Sequence, residues 1–186
     1  MRKIVVSEFI SLDGVVEAPE TWHFPFVDDE AQALTNARIA ANESLLFGRV
    51  TYDIFSSYWP NAPVTDADDD IAKNLNSKPK FVVSNTLKKA DWQNTTIISG
   101  NVIDEIAKVK QAGTGIMSTT GSVTLIQTLL AAGLVDELQL MLHPIIVGHG
   151  KRLFKEGLDT IPLKLVDSKT FKLGVVALTF QPEKRG

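Results

Sequence analysis

The sequence predicts an α/β protein: a mostly parallel sheet with helices on both faces and an antiparallel pair of strands at its C-terminal end. Three observations carry this. Apolar, β-branched runs alternate with segments of helical spacing through the first two thirds of the 186 residues. Asn76 with Pro79, Gly100 with Asn101, Gly113 with Gly115, and Gly133 separate these segments. Finally, the last two alternating runs have no helical segment between them, so they must pair as a hairpin.

Lys3–Phe9 is the first strand, β-branched and apolar, with Ser7 and Glu8 toward its end. The run is too short and too polar for a signal peptide, and it has no small-residue cleavage site. Ser11-Leu12-Asp13-Gly14 makes a turn, Val15–Pro19 continues extended, and Glu20–Pro25 is an aromatic loop. Asp28–Asn42 has helical spacing at Ala31, Leu34, Ala37 or Arg38, and Ala41. Its acids crowd the first turn, where the helix dipole favours them. Ser44–Phe47 is a strand that turns at Gly48 into a helix over Val50–Ser57. The acidic run Asp66–Asp70 reads as a solvated loop leading into a helix over Asp68–Leu75. Strands are expected at Lys80–Ser84 and Thr95–Ser99, then a helix at Val102–Gln111 and a strand at Gly115–Thr119. Gly121-Ser122 opens a helix running to Ala132, closed by Gly133. Asp136–Leu142 is a strand, and Leu163–Lys169 with Val175–Gln181 form the closing pair.

Composition narrows the function. The length favours a single domain over residues 1–186. A net charge of −3 and scattered basic residues argue against nucleic acid as a partner. The chain has no cysteine, which removes disulfides, thiolate metal sites and cysteine nucleophiles and fits a cytoplasmic location. No apolar run approaches the roughly 20 residues that span a bilayer. His23, His143 and His149 lack partners at ligand spacing, so no metal site is expected.

In open parallel sheets, ligands bind at the carboxyl ends of the strands. Gly48-Arg49-Val50-Thr51 lies at such an end. The glycine permits close approach, the arginine can fork two N–H groups onto a phosphate, and the threonine adds a hydroxyl. A plain strand-to-helix turn with a surface arginine is the alternative. Ser84 ends another strand and could either face a nucleotide or bond to its own turn. Gly121-Ser122-Val123 opens a helix, as a simple cap or as a pyrophosphate cradle, without the G-x-G-x-x-G spacing of a standard dinucleotide loop. Asp13, Asp28 and Asp29 are candidate proton donors, although acids at a helix start are commonly caps. Trp22, Tyr52 and Trp59 could stack on a ring or belong to the core.

Ser11-Leu12-Asp13-Gly14, Leu46–Tyr52, Val82–Leu87 and the block from Gly121 through Leu134-Val135-Asp136-Glu137-Leu138 to Gly148-His149-Gly150-Lys151-Arg152-Leu153-Phe154 together resemble the dihydrofolate reductase-like superfamily. The nearest branch contains the C-terminal reductase domain of the bifunctional riboflavin-biosynthesis deaminase–reductase. The resemblance covers nearly the whole chain in order. It implies a three-layer α/β fold with an eight-stranded, mainly parallel sheet, and NADPH lying across the strand ends. It places the adenosine end of the cofactor at Gly48, Arg49, Thr51 and Ser84, and the pyrophosphate at Gly121, Ser122 and Val123. The implied reaction is hydride transfer to a pyrimidine or pteridine type of heterocycle by a homodimer. A non-catalytic nucleotide-binding descendant of the fold is the alternative.

Two departures bear on the site. Dihydrofolate reductases often join two glycines by a cis peptide at the pyrophosphate turn. The pair here is Thr120-Gly121, where a cis bond costs roughly 3 kcal/mol. The zinc-binding deaminase is absent, since it requires cysteines. No carboxylate aligns securely with the one that grips the pterin, so the proton donor is left open among the three acids.

Overall fold

The computed structural model describes residues 1–62 and 68–183. Its strands are β1 Lys3–Ser11, β2 Asn42–Gly48, β3 Lys80–Val83, β4 Thr95–Ile98, β5 Ile116–Thr119, β6 Glu137–His143, β7 Leu163–Thr170 and β8 Val176–Pro182. Its α-helices are α1 Asp29–Ala41, α2 Arg49–Tyr58, α3 Asp68–Ser77, α4 Val102–Gln111 and α5 Val123–Ala131. The sheet has eight strands in the order β4-β3-β2-β5-β1-β6-β8-β7. The first six run parallel; β8 lies antiparallel to β6, and β7 antiparallel to β8. The expected architecture is therefore the observed one, with β7 as the outer edge. The aromatic loop differs in detail. It contains two 3-10 turns, Pro19–Thr21 and Phe24–Phe26, because Pro19 and Pro25 fix φ near the helical value at the start of each. Of the acidic run expected as a loop, residues 66 and 67 lie outside the described residues and Asp68–Asp70 belong to α3.

Alternation along the strands divides the core in two. Ile4, Val6, Leu46, Met117, Leu138 and Leu140 face α4 and α5, packing on Ile106, Leu125, Ile126 and Leu129. On the other face, Leu45, Phe47 and Val82 meet Tyr52 of α2, Leu75 of α3 and Trp92. Three layers result. α1 is the exception to close packing. Ala31 is its one fully buried residue, and its inner side carries Gln32, Thr35 and Arg38. A helix with so polar an inner face cannot seal onto a sheet, and a cavity lies beneath it.

Lys80, at the start of β3, is completely buried. Its ammonium donates to the carbonyls of Asn76, Lys78 and Gln93 at 3.0, 2.8 and 3.1 Å. It also stands 4.5 Å from the centre of the Trp92 ring. Burial pulls its pKa down to about 8. The lysine joins the end of α3 to the β4 approach, alongside the Trp92 and Gln93 side chains, which bond Asn76. Lys80→Met keeps the volume and removes three hydrogen bonds. It should destabilise the protein by roughly 1–3 kcal/mol in urea unfolding, since the carbonyls of Lys78 and Gln93 lose this donor while that of Asn76 keeps Gln93 Nε2.

Candidate active site at the parting of two strands

The β2–α2 and β5–α5 junctions meet. The Gly48 N–H donates to the Gly121 carbonyl at 3.1 Å, and the Thr119 hydroxyl donates to the same oxygen at 3.2 Å. A Cβ on Gly48 would lie 2.2 Å from Ser122 Oγ and 3.0 Å from the Ser122 backbone nitrogen. A Cβ on Gly121 would lie 2.6 Å from Thr51 Oγ1, and its φ of +120° suits only glycine. Gly48, Thr51, Gly121 and Ser122 are thus brought together. α2 and α5 both start here, and neither N-cap side chain accepts a hydrogen bond from its helix. Two sets of helix-start N–H groups therefore lack side-chain acceptors, an arrangement suited to a doubly charged pyrophosphate. The peptide between Gly121 and Ser122 is cis. This corrects the alignment from sequence: the unusual bond follows Gly121 rather than preceding it.

Arg49 opens α2 with its side chain half exposed, 2.9 Å from Asp53 one turn on. A surface pair at that spacing is worth only about 0.3–0.5 kcal/mol, so an arriving phosphate can displace it. Val123 is the first residue of α5. Ser84 is buried and its Oγ already accepts from the Thr86 and Leu87 N–H groups, at 3.2 and 2.9 Å. Its hydroxyl therefore shapes the turn after β3.

The cavity beneath α1 has a volume of about 330 Å3. Phe9, Phe47, Phe55, Trp59, His23 and Phe24 give it aromatic walls, while Ser118 and Thr120 carry it to the Gly121 turn. Two wall nitrogens, His23 Nδ1 and Arg38 Nη1, are buried without a hydrogen-bond partner among the described residues. Burial lowers the pKa of His23, with His143 adding to the effect, so the ring is neutral near pH 7. Its ring stacks on Phe9 with centroids 4.6 Å apart.

The three acids singled out from sequence do not line this cavity. Asp13 is an anchor. It accepts from the Ser11 hydroxyl at 2.7 Å, and from the Val147 and Gly148 N–H groups at 3.0 and 2.9 Å. The Ser11 hydroxyl first, then these amides, hold its pKa well below the ordinary carboxylate range. An acid so firmly ionised cannot supply a proton at neutral pH. Asp28 caps α1, accepting from the Ala31 N–H at 2.9 Å, and this bond likewise lowers its pKa. Asp29 is exposed in the first turn. Two aromatics are also corrected. Trp22 is buried, its indole N–H bonded to the Glu17 carbonyl at 3.1 Å. Tyr52 is buried, its hydroxyl accepting from the Trp92 N–H at 3.1 Å. Trp59 does line the cavity.

Glu8 is a buried acid on β1, next to the cavity residues Ser7 and Phe9. By alternation its side chain belongs with Ile4, Val6 and Ile10, on the face of β1 toward α4 and α5 rather than toward α1. The pairing of β1 with β5 ends at Val6–Thr119, two residues before it, so the strands are unjoined where Glu8 sits. Among the described residues nothing hydrogen-bonds its carboxyl, and burial pushes its pKa up to about 8.

The fold and the convergent turns define a protein of the dihydrofolate reductase-like class. Comparison with known proteins sharpens this: residues 2–177 match the RibD C-terminal domain, and the chain belongs to that family. The uncharacterized protein YyaP of Bacillus subtilis is 31% identical over 179 residues, covering 96% of this chain and 94% of YyaP. A crystal structure of a candidate riboflavin biosynthesis protein from Shewanella sp. PV-4 superposes with a TM-score of 0.74 at 25% identity, over 99% of this chain and all of that one. Dihydrofolate reductase from Enterococcus faecalis, solved with NADP(H), shares the fold with a TM-score of 0.67 at 13% identity, over 98% and 97% of the two chains. Among the described residues, no helix is long and apolar enough to cross a membrane, and no group of three His, Cys, Asp or Glu could hold a metal.

Two expectations follow. Gly48→Ala drives a methyl into the backbone of Ser122 and should cost about 1–3 kcal/mol in urea unfolding. Glu8→Gln should change how stability depends on pH. Below about pH 4.5 the wild-type carboxyl is protonated folded or unfolded and imposes no penalty. As the pH climbs toward 8, the unfolded chain releases that proton more readily than the folded one, and stability falls. Urea unfolding at about pH 5 and pH 9 should show the variant gaining on the wild type by a few kcal/mol at the higher pH. Parallel pH curves would mean that Glu8 titrates normally.

Proposed function

We propose that the protein is an NADPH-dependent reductase of a heterocyclic substrate of pyrimidine or pteridine type. The observation that carries this is the continuity of two sites. The paired helix starts at Gly48 and Gly121-Ser122 lead directly, through Thr120, into an aromatic cavity with unpartnered polar atoms on its wall. Family membership supports the reaction class. A cavity of this volume suits a small ring compound, and its flat aromatic walls suit a planar one. His23 Nδ1 and Arg38 Nη1 can meet the polar edge of such a ring, which removes their own cost of burial.

Within this reading, the N–H groups at the starts of α2 and α5 hold the pyrophosphate. Arg49 turns from Asp53 to the 2′-phosphate and so selects NADPH over NADH. Bound NADPH supplies the hydride. The chain orients the ring against it, through Trp59 and Phe9 on the walls and Arg38 on α1, and excludes water from the space between. A nucleotide-binding protein that turns nothing over would show the first of these properties without the second.

Quenching of tryptophan emission should report micromolar-range NADPH binding and clearly weaker NADH binding. Arg49→Ala should weaken NADPH by roughly tenfold and leave NADH nearly unchanged, as expected for loss of an exposed phosphate contact. Equal loss for both would remove Arg49 from the 2′-phosphate, and no binding of either would end the cofactor assignment. NADPH oxidation with a panel of pyrimidines and pteridines then separates a reductase from a binder.

A further inference from the structure

A polar row crosses the floor of the cavity beneath α1. Ser7 of β1 pairs with Gln139 of β6, and Gln139 with Thr179 of β8, so the three side chains share one face of the sheet. Arg38, in the last turn of α1, reaches down to the end of that row: its Nη2 donates to Thr179 Oγ1 at 3.4 Å. Its Nη1 lies buried on the cavity wall with no hydrogen-bond partner among the described residues. The buried lysines are met differently. Three carbonyls surround the Lys80 ammonium, and that of Lys110 meets the Leu134 carbonyl and the Asp136 carboxylate. A buried lysine can also shed its proton, whereas a guanidinium keeps its charge. Arg38 therefore holds a fixed cation and an unused donor against the cavity, a cost that a bound anion removes.

The surroundings restrict that anion. Glu137 on β6 and Asp167 on β7 both act on the guanidinium, and Glu137 also accepts from Gln139 Nε2 at 2.7 Å. Two carboxylates so placed repel a dianion such as a phosphate monoester more than a single negative charge. Among the described residues no second cation lines the cavity, and burial holds His23 neutral near pH 7. One carboxylate, flat and attached to an aromatic ring, matches one free guanidinium nitrogen and the aromatic walls. A cationic ring edge finds no carboxylate on the cavity wall among the described residues, since Glu8 belongs to the opposite face of β1.

Resting on the reductase reading above, we propose that Arg38 is the specificity-determining residue of the substrate site, and that the substrate is a planar heterocycle bearing a carboxylate on its ring. The carboxylate meets Arg38 Nη1 at the Gln139–Thr179 end of the cavity floor. The ring extends from there past Ser7 and Phe9 toward Thr120, where the cavity reaches the Gly121 turn. Held at one end by charge and flanked by flat walls, the ring is fixed one way round. A ring without the carboxylate loses both the anchor and the orientation it sets.

Matched ligand pairs test this on the protein saturated with NADP+. Uracil-6-carboxylate is compared with uracil-6-carboxamide, and pterin-6-carboxylate with pterin-6-carboxamide; each pair keeps the shape and changes the charge. Calorimetric titration at about pH 7 should show wild type binding the carboxylate of at least one pair roughly tenfold or more tighter than its carboxamide. Arg38→Met should abolish that preference by weakening the carboxylate alone, with NADPH binding within about threefold of wild type, since Arg38 is away from the cofactor turns. Arg38→Lys covers the case in which Arg38→Met does not fold. It keeps the charge without the planar fork, so it should retain only part of the preference. Uridine 5′-monophosphate should gain nothing over uridine. Equal binding of carboxylate and carboxamide by wild type in both pairs, a preference undiminished in either variant, or a gain for the phosphate in place of the carboxylate would overturn the assignment and leave the reductase reading intact. If none of these rings binds, or NADP+ and NADPH do not, the reductase reading fails and this assignment with it.

Discussion

The close approach of Gly48 to the Gly121-Ser122 turn is the constraint on which the site depends. Two neighbouring parallel strands, β2 and β5, pair as far as Leu45–Ser118, and the two turns that follow them come within hydrogen-bond reach of each other. Nothing larger than hydrogen fits at Gly48 without moving Ser122. Because the turns touch, the first amides of α2 and α5 share one small volume. A single helix start attracts an anion weakly; two aimed at one place suit a pyrophosphate. The position of Arg49 follows from the same contact, since it is the first residue of α2 and has no freedom to begin elsewhere.

A second feature follows from where pairing stops. β5 holds β1 only as far as Val6–Thr119, while β1 runs on beside β6 to Ser11. The strand ends therefore leave a gap, and α1 roofs it at a distance because Gln32, Thr35 and Arg38 cannot pack down on a sheet. Polar residues on the inward face of a helix weaken the fold locally. The unpartnered Arg38 Nη1 and His23 Nδ1 and the buried Glu8 add to the same cost. The rest of the molecule offsets it, with a closely packed apolar layer under α4 and α5 on the opposite face.

Most of the fold was legible because its determinants are local. Alternation, helical spacing and the glycine and proline breaks specify each element, and the missing helix before β8 specifies the hairpin. The turn at Gly48 was legible for the same reason. What escaped was set by contacts far apart in sequence. Asp13 reads as a free acid until Val147 and Gly148, more than 130 residues on, are seen to donate to it. Tyr52 reads equally as a ring for stacking or a core residue until the Trp92 N–H is seen to claim its hydroxyl. Glu8 was within reach of sequence reasoning. It falls in phase with Ile4, Val6 and Ile10, so a strand with one apolar face had to bury it. Read only as the polar end of a strand, it carried no signal.

Asp13 and Glu8 show how one segment of chain can hold two carboxyls in opposite states. They are five residues apart, one within β1 and the other in the turn that follows it. Asp13 meets a hydroxyl, two amide N–H groups and the Arg152 guanidinium, 3.4 Å away, all of which favour its charged form. Glu8 is buried and no hydrogen bond to its carboxyl occurs among the described residues, which favours its neutral form. Exchanging their roles would fail at both places. A neutral Asp13 would surrender the bonds that tie the Ser11–Asp13 turn to the 147–152 loop, and a charged Glu8 would stand unsolvated in the core. The donors thus fix one acid as a structural anion, and burial without donors holds the other neutral. That separation of environments, rather than the identity of either side chain, sets the two states.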